Sequence, residues 1–181
     1  PSHPFHADIV EIAQSEITAG CGGGNYCPDT PVTRAQMAVF LLKGRNGADR
    51  DIYVMDPRDP DTLVAASYQR RRHVFTLIDG GPGSGVHKTT DGGKTWKKVT
   101  SGLPKEEMGR IGLAIAPTEP DTLYALVETA AANKAGGTFR STNRGESWEK
   151  RGDYVPGGPM YYQEIFVDPK DHERLYSMDV F

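Results

Sequence analysis

The sequence has 181 residues, of which 25% are charged and 37% hydrophobic, a balance typical of globular proteins rather than disordered chains. Its net charge of −3 excludes a general electrostatic attraction to nucleic acid or to an anionic membrane. No apolar run is long enough for a membrane-spanning helix, so we expect no transmembrane segment. The 21 glycines and 13 prolines recur along the whole chain, which favours short strands joined by turns.

Residues 1–44 are predicted to form a small helical segment, and residues 45–51 a linker. Apolar residues recur at the helical period near the start of this segment. A capping box formed by Thr33 and Gln36 precedes a second apolar run. After Gly44 the apolar residues fall in short β-type runs instead, and the change of pattern marks the domain boundary.

The two cysteines, Cys21 and Cys27, flank a glycine-rich turn. A disulfide between them would close a small loop in an oxidising compartment, and this is the pairing we predict. Two free thiols are the first alternative. A metal site that adds His3 and His6 is the second, but its spacing fits no standard zinc finger. We therefore expect neither a metal nor a cofactor.

The stretch ITAGCGGGNYCPDTPVTRAQMAVFLLK resembles an S-layer homology motif of the cysteine-containing kind. It matches the glycine turn, the proline-bearing loop and the Thr-Arg-Ala helix start of that motif. In the family, the arginine of the Thr-Arg-Ala-Glu signature contributes to binding cell-wall polysaccharide, and the resemblance assigns this role to Arg34. Gln36 replaces the acidic residue of the signature, and one motif is visible where the family usually has three. In the alternative interpretation, Arg34 only stabilises the first turn of its helix.

Residues 52–181 contain an internal repeat. The segment GVHKTTDGGKTWKKV, which begins at Gly85, returns as GTFRSTNRGESWEKR at Gly137, and both tryptophans keep the same offset. Three related segments rich in proline and acidic residues mark three unit starts: Asp56–Leu63, Ala116–Leu123 and Asp168–Leu175. A period near 50 residues with several short strands per unit is typical of the four-stranded blade of a β-propeller.

The predicted strands follow the same order in each unit. In the first unit they are 51–56, 62–68, 85–90 and 95–100. In the second unit they are 109–116, 122–128, 137–142 and 147–151. In the third unit they are 161–168 and 174–180. The expected fold is mainly β: an incomplete β-propeller of two four-stranded blades plus part of a third, behind a small helical segment. Such a set cannot close a ring, so we expect the remaining blades to come from a larger parent chain or a complex.

Each complete unit carries a turn of the form Ser/Thr-x-Asp/Asn-x-Gly-x-Ser/Thr-Trp. Its positions are Thr89, Asp91, Gly93, Thr95 and Trp96 in the first unit, and Ser141, Asn143, Gly145, Ser147 and Trp148 in the second. The Asp or Asn is expected to accept backbone N–H groups, and the glycine to adopt a positive φ. The tryptophan is expected to cover the apolar layer while its indole N–H finds a partner. These tasks indicate a folding device rather than a catalytic aspartate.

These turns, together with the proline-rich turn and the Leu-Tyr-Ala strand before the second of them, resemble Asp-box (BNR) repeats. Such repeats occur in sortilin-like propellers and in secreted glycosidase-like proteins. The resemblance implies an extracytoplasmic, non-catalytic binding or scaffolding module. Its N-terminal segment would attach it to cell-wall polysaccharide or to another envelope protein. The alternative is part of a secreted glycoside hydrolase that acts on polysaccharide.

Ligand binding is expected at one end of the blades. In a four-stranded blade the regular hairpin turns share one rim, and the longer connections of variable length share the opposite rim, where binding loops are usual. On that opposite rim, the basic run Arg70, Arg71 and Arg72 can engage a carboxylate, a phosphate or an acidic sugar; otherwise it is a solvated loop. Tyr161 and Tyr162 can stack on a sugar ring or a peptide, or pack into the core.

No pair of carboxylates suited to glycoside hydrolysis is evident in the sequence. Xyloglucanase-like propellers carry a catalytic aspartate directly after a Leu-Tyr-Ala strand, and the resemblance maps that position to Ser67 and Glu128. Glu128 is therefore the one catalytic candidate. The glycine-rich stretch Gly80–Gly85 lacks the Lys-Ser or Lys-Thr pair of a phosphate loop and precedes a strand, so we expect no nucleotide there.

Overall fold

The computed structural model describes residues 52–72, 74–130, 135–159 and 162–178, and every regular element within them is a β-strand. No helix of these residues is long and apolar enough to cross a bilayer. Several predictions lie outside the described residues: the helical segment 1–44, the linker 45–51, the Cys21–Cys27 disulfide, Arg34 and Tyr161.

Four antiparallel strands form the first sheet. They are β1 (Ile52–Asp56), β2 (Asp59–Ser67), β5 (Gly85–Thr89) and β6 (Lys97–Val99), hydrogen-bonded in the order β1-β2-β5-β6. A short hairpin is inserted between β2 and β5; its strands are β3 (Arg70–Arg72) and β4 (Leu77–Asp79). The sequence predicted the four sheet strands and their order, but not the hairpin, because strands of three residues show no hydrophobic period.

The second sheet repeats the first. Its strands are β7 (Met108–Ile115), β8 (Leu123–Thr129), β9 (Gly137–Ser141) and β10 (Glu149–Gly152), with β7 and β10 at its two edges. In the third unit, β11 (Ile165–Val167) pairs with β12 (Leu175–Ser177) as an antiparallel hairpin. Both strands of this hairpin are shorter than predicted.

The core of the fold lies between the sheets, and β8 is buried on both of its faces. Leu123, Ala125 and Val127 pack in a cluster that includes buried side chains of the first sheet such as Val64 and Val86. The alternate residues Tyr124 and Leu126 pack instead on Ile165 and its neighbours in the third unit. Because both faces of the strand are covered, its sequence is a continuous apolar run rather than an alternating one.

The first strands of successive units contact one another. Strand β7 contacts β1 on one side and β11 on the other. The sheets therefore stack face to face with their leading strands together, as successive blades do around the axis of a propeller. The described part of the chain is accordingly β-propeller-like: two complete four-stranded units followed by the paired strands of a third.

The connection between β6 and β7 packs closely against the second unit. The backbone N–H of Trp148 donates to the Ser101 carbonyl at 3.0 Å, and Trp148 itself is buried. Gly102 adopts a φ of 77°, and a Cβ atom at this position would lie 1.7 Å from the carbonyl oxygen of Trp148. Only glycine allows the two backbones to approach this closely.

An ion-pair network joins the turns of the first two units. The buried carboxylate of Asp56 accepts hydrogen bonds from Arg58 Nε at 3.0 Å and from Arg144 Nε at 2.8 Å. Arg58 also donates to the Asp121 carboxylate. The hydrogen bonds from Arg58, assisted by Arg144, hold the pKa of Asp56 well below its usual range. Arg144 is the one non-glycine residue in the described part of the chain with a positive φ, 60°.

Candidate functional site

Hydrogen bonds between neighbouring segments define two rims. At one end of the sheets, Gly92 N–H donates to the Asp61 carbonyl and Arg144 N–H to the Asp121 carbonyl, so the hairpin turns lie together. We call this end the turn rim. At the other end, Gly81 N–H donates to the Met108 carbonyl at 3.2 Å, which joins the β2–β5 connection to the start of β7. We call this end the loop rim.

The repeated turns use their polar groups internally. Asp91 Oδ1 accepts the Thr95 N–H at 2.9 Å and the Thr89 hydroxyl at 2.7 Å. In the second unit Asn143 Oδ1 accepts the Ser147 N–H at 3.0 Å in the same way. Hydrogen bonds from Thr95 and Thr89 lower the pKa of Asp91. Because an Asn closes the same turn, a negative charge is not essential to its geometry.

The glycines of these turns have the expected backbone conformation, whereas the tryptophans depart from the expected burial and hydrogen bonding. Gly93 and Gly145 have φ values of 84° and 81°, in the region the turn requires. Trp148 is buried against the core, whereas Trp96 is only half-buried. The indole Nε1 of Trp148 has no hydrogen-bond partner among the described residues, contrary to the partner expected from the sequence.

Glu128 lies opposite a β-bulge on the loop rim. The register between β7 and β8 shifts between Met108 and Ile111, so Gly109 and Arg110 together face Glu128. The Arg110 backbone N–H donates to Glu128 Oε2 at 3.0 Å. A Cβ atom on Gly109 would lie 2.3 Å from that same oxygen. The bulge and the glycine thus fold the Glu128 carboxyl group over the edge of the sheet.

The β2–β5 connection brings two further groups to Glu128. The Tyr68 hydroxyl donates to the Asp79 carboxylate, and Arg70 pairs with Asp79 in the register of the β3–β4 hairpin. Burial raises the pKa of Glu128, and the negative charge of Asp79 adds to this effect, while the Arg110 N–H opposes it. Burial also raises the pKa of Tyr68, with the Asp79 hydrogen bond as the second cause.

Residues of the third unit bind the Arg110 side of the bulge. The Arg110 side chain is 2% exposed, and its Nη2 pairs with Glu164 Oε1 at 3.1 Å. Gln163 is fully buried and donates through Nε2 to the backbone carbonyls of Leu126, at 2.8 Å, and Arg110, at 3.3 Å. Residues of three successive units therefore meet at one place. We call Tyr68, Asp79, Arg110 and Glu128 the rim cluster.

The structure brings only some of the predicted site residues together. Arg70 and Glu128 belong to the same neighbourhood, since the charge of each acts on Tyr68. Arg71 and Arg72 are exposed on β3, and Tyr162 is exposed next to Gln163. Sequence reasoning missed Tyr68, Asp79 and Arg110, because only the bulge and the inserted hairpin, neither of them evident as a motif, place them beside Glu128.

The glycine-rich stretch after β4 forms hydrogen bonds with Gln69 of the same chain. Gly83 N–H donates to Gln69 Oε1 at 2.6 Å, and the Gln69 N–H donates to Ser84 Oγ at 2.9 Å. The loop therefore wraps the Gln69 side chain and closes the base of the β3–β4 hairpin. The described residues contain no group of three or more His, Cys, Asp or Glu side chains arranged to hold a metal ion.

Comparison with known proteins gives weak likenesses, and no family model matches the sequence. The chain is 21% identical over 131 residues to a probable oligoxyloglucan-reducing end-specific xyloglucanase of Neosartorya fischeri. The match covers 67% of this chain and 16% of that protein's length.

Three solved structures are similar at low TM-scores. An ancestral GH74 enzyme has a TM-score of 0.45 at 20% identity, covering 70% of this chain and 16% of its own. A GH74 xyloglucanase from Xanthomonas campestris has a TM-score of 0.42 at 18% identity, covering 65% and 18%. A GH74 enzyme from Niastella koreensis has a TM-score of 0.40 at 19% identity, covering 72% and 23%. The chain thus spans less than a quarter of the length of each of these proteins.

Proposed function

We propose that the chain is an extracytoplasmic polysaccharide-binding module of a β-propeller, with the loop rim as its binding surface. The observation that carries the proposal is the rim cluster, in which polar groups of the first two units meet at Glu128 and the third unit holds Arg110 in place. The repeated turns occupy the opposite rim and satisfy their polar groups internally, which supports the Asp-box interpretation of them as scaffold. The likeness to a probable xyloglucanase supports polysaccharide as the ligand class.

The rim cluster offers the groups that a sugar requires. The carboxyl oxygens of Glu128 and Asp79 can accept hydrogen bonds from sugar hydroxyls, and the Tyr68 hydroxyl can exchange its partner. Hydrogen bonds made by half-buried groups discriminate well, because a missing partner leaves a desolvated polar group unsatisfied. Tyr162, exposed on the same rim, supplies an aromatic face on which a sugar ring can lie.

Attachment to the envelope is a separate part of the proposal. The segment 1–44 would bind cell-wall polysaccharide or an envelope protein through Arg34, as its S-layer-like sequence implies. A Cys21–Cys27 disulfide would brace its loop outside the cytoplasm. The remaining blades of the ring would come from a larger parent chain or a complex.

A second candidate function is glycoside hydrolysis, with Glu128 as the general acid. The observation that favours it is the raised pKa of Glu128, since a general acid has to hold its proton near the working pH. Asp79, whose charge acts on Glu128, would be the second carboxylate. In this function the same rim cleaves the polysaccharide that it binds.

Glu128→Gln tests both functions in the full chain. The amide retains an oxygen that can accept the Arg110 N–H, so the bulge is kept while the carboxyl group is lost. We expect binding to the best soluble polysaccharide in a neutral and acidic panel to weaken about tenfold, measured by affinity electrophoresis and calorimetry. Glu119→Gln, on the turn rim, removes a comparable carboxyl group and should leave the affinity unchanged.

The outcomes separate the two functions. If the wild-type chain releases reducing ends and Glu128→Gln does not, the hydrolase is the function and the binding-module proposal is wrong. Binding without turnover, weakened in Glu128→Gln alone, is the result expected of the binding module. Failure of every polysaccharide in the panel to bind would refute both.

A further inference from the structure

The β3–β4 hairpin projects from the loop rim and has an unusual composition. Its first strand consists of Arg70, Arg71 and Arg72. The one acidic residue in the sequence from Arg70 to Asp79 is Asp79 itself, at the end of the second strand. At its tip, Val74 and Phe75 are 89% and 98% exposed. We call residues 70–72 and 74–79 the finger.

The exposure of the tip is unusual because two adjacent apolar side chains share it. Single exposed apolar residues are normal on protein surfaces, but clustered ones mark sites of interaction. Ile78, on the returning strand, is also 48% exposed, so the apolar surface continues from the tip along the finger. The fold leaves this surface uncovered within the described residues.

The arginines give the finger cationic groups on both of its faces. Successive side chains of a strand point to opposite faces, so Arg71 lies opposite Arg70 and Arg72. Arg71 and Arg72 are both exposed on the three-residue strand. Guanidinium groups bind carboxylates and sulfates through two parallel hydrogen bonds, so this strand is suited to an anionic group that offers two oxygens.

The base of the finger belongs to the rim cluster. Arg70 pairs with Asp79 in the hairpin register, and Asp79 accepts the Tyr68 hydroxyl beside Glu128. A ligand that touches the rim cluster can therefore extend along the finger without leaving the loop rim. The finger adds cations to a surface whose cluster carries two carboxyl groups, a combination suited to a ligand with both hydroxyls and anionic groups.

We propose that the finger is a subsite for an acidic polysaccharide, in which Arg71 and Arg72, on opposite faces of the strand, each bind a carboxylate or sulfate and Phe75 covers a neighbouring sugar ring. The inference rests on the proposed function, and it specifies the class of polysaccharide. An anionic membrane would also attract the arginines and the apolar tip. It would, however, leave the hydroxyl-binding groups of the rim cluster unused, so the polysaccharide is favoured.

Two polymers with the same β-glucan backbone test the inference. Carboxymethyl cellulose carries carboxylates and hydroxyethyl cellulose does not, so their affinities for the full chain isolate the anionic contribution. We expect the wild-type chain to bind the carboxymethyl polymer about tenfold more tightly. The double variant Arg71→Gln/Arg72→Gln should lose this preference and still bind the neutral polymer. Phe75→Ala should weaken binding of both polymers.

A matched control variant lowers the net charge by the same amount as Arg71→Gln/Arg72→Gln. Lys94→Gln/Lys170→Gln removes two exposed lysines from the turn rim, and it should keep the preference. Equal affinity of the wild-type chain for the two polymers would overturn the inference and leave the proposed function standing. So would equal loss of preference in the two double variants, or arginine-dependent binding to phosphatidylcholine vesicles containing phosphatidylglycerol without binding to the carboxymethyl polymer. Binding of neither polymer, nor of any other polysaccharide, would count against the proposed function itself.

Discussion

Gly102→Ala is expected to lower the free energy of unfolding by about 3 kcal/mol or more. The added methyl group would lie 1.7 Å from the Trp148 carbonyl oxygen, and the φ of 77° is one that alanine rarely adopts. Moving the two backbones apart would break the hydrogen bond from the Trp148 N–H to the Ser101 carbonyl, which joins the first unit to the second. Urea unfolding followed by tryptophan fluorescence measures the loss.

Gly152→Ala is the matched control for this substitution. Apart from its two chain neighbours, no residue has an atom within 4 Å of a Cβ built at Gly152, so the same chemical change meets open space. Its effect should stay within about 0.5 kcal/mol. If the two variants unfold at the same urea concentration, the close packing of the β6–β7 connection on Trp148 is wrong.

Asp56→Asn is expected to cost about 2 kcal/mol at pH 7, because the carboxylate accepts charge-assisted hydrogen bonds from two arginines. The cost is lower than for a wholly buried pair, since Arg58 and Arg144 are partly exposed and can regain water. The residue at this position differs between units, and Asp168 is its equivalent in the third unit. Ala116 takes its place in the second unit, so the network is not a feature of every repeat.

The lowered pKa of Asp56 predicts that the stability difference between wild type and Asp56→Asn depends on pH. The pKa of Asp56 is lower in the folded protein than its ordinary value of 3.8, so the folded state binds fewer protons near that pH. The stabilisation is therefore complete above about pH 4 and is lost as the pH falls through the folded pKa. The stability difference between wild type and Asp56→Asn should narrow between pH 4 and pH 2, measured by urea unfolding at each pH. A difference independent of pH, or one also seen in Glu119→Gln, would contradict this account.

The repeat carries most of the information that the sequence holds about the fold. Spacing alone predicted the strand order of both complete units, because each unit has to present the same apolar positions to its neighbours. It did not predict the double burial of β8, which depends on covering by the third unit. The inserted hairpin was missed because its strands are too short to show a period.

The candidate site was harder to predict than the fold. Glu128 was singled out only by resemblance to xyloglucanase-like propellers, whereas its setting depends on a one-residue shift of register at Gly109 and Arg110. Tyr68 and Asp79 lie far from Glu128 along the chain, and the stacking of sheets brings them together. Sequence motifs report local turns such as Thr89–Trp96, and clusters assembled between units leave no such motif.

The central claim is that ligands bind the loop rim and leave the turn rim free. Amide hydrogen exchange with and without carboxymethyl cellulose oligosaccharides, followed by mass spectrometry of peptides, tests it most directly. The account predicts slower exchange in residues 68–84 and 104–110, with no change in residues 89–96 and 141–148. Protection confined to the two repeated turns would contradict it.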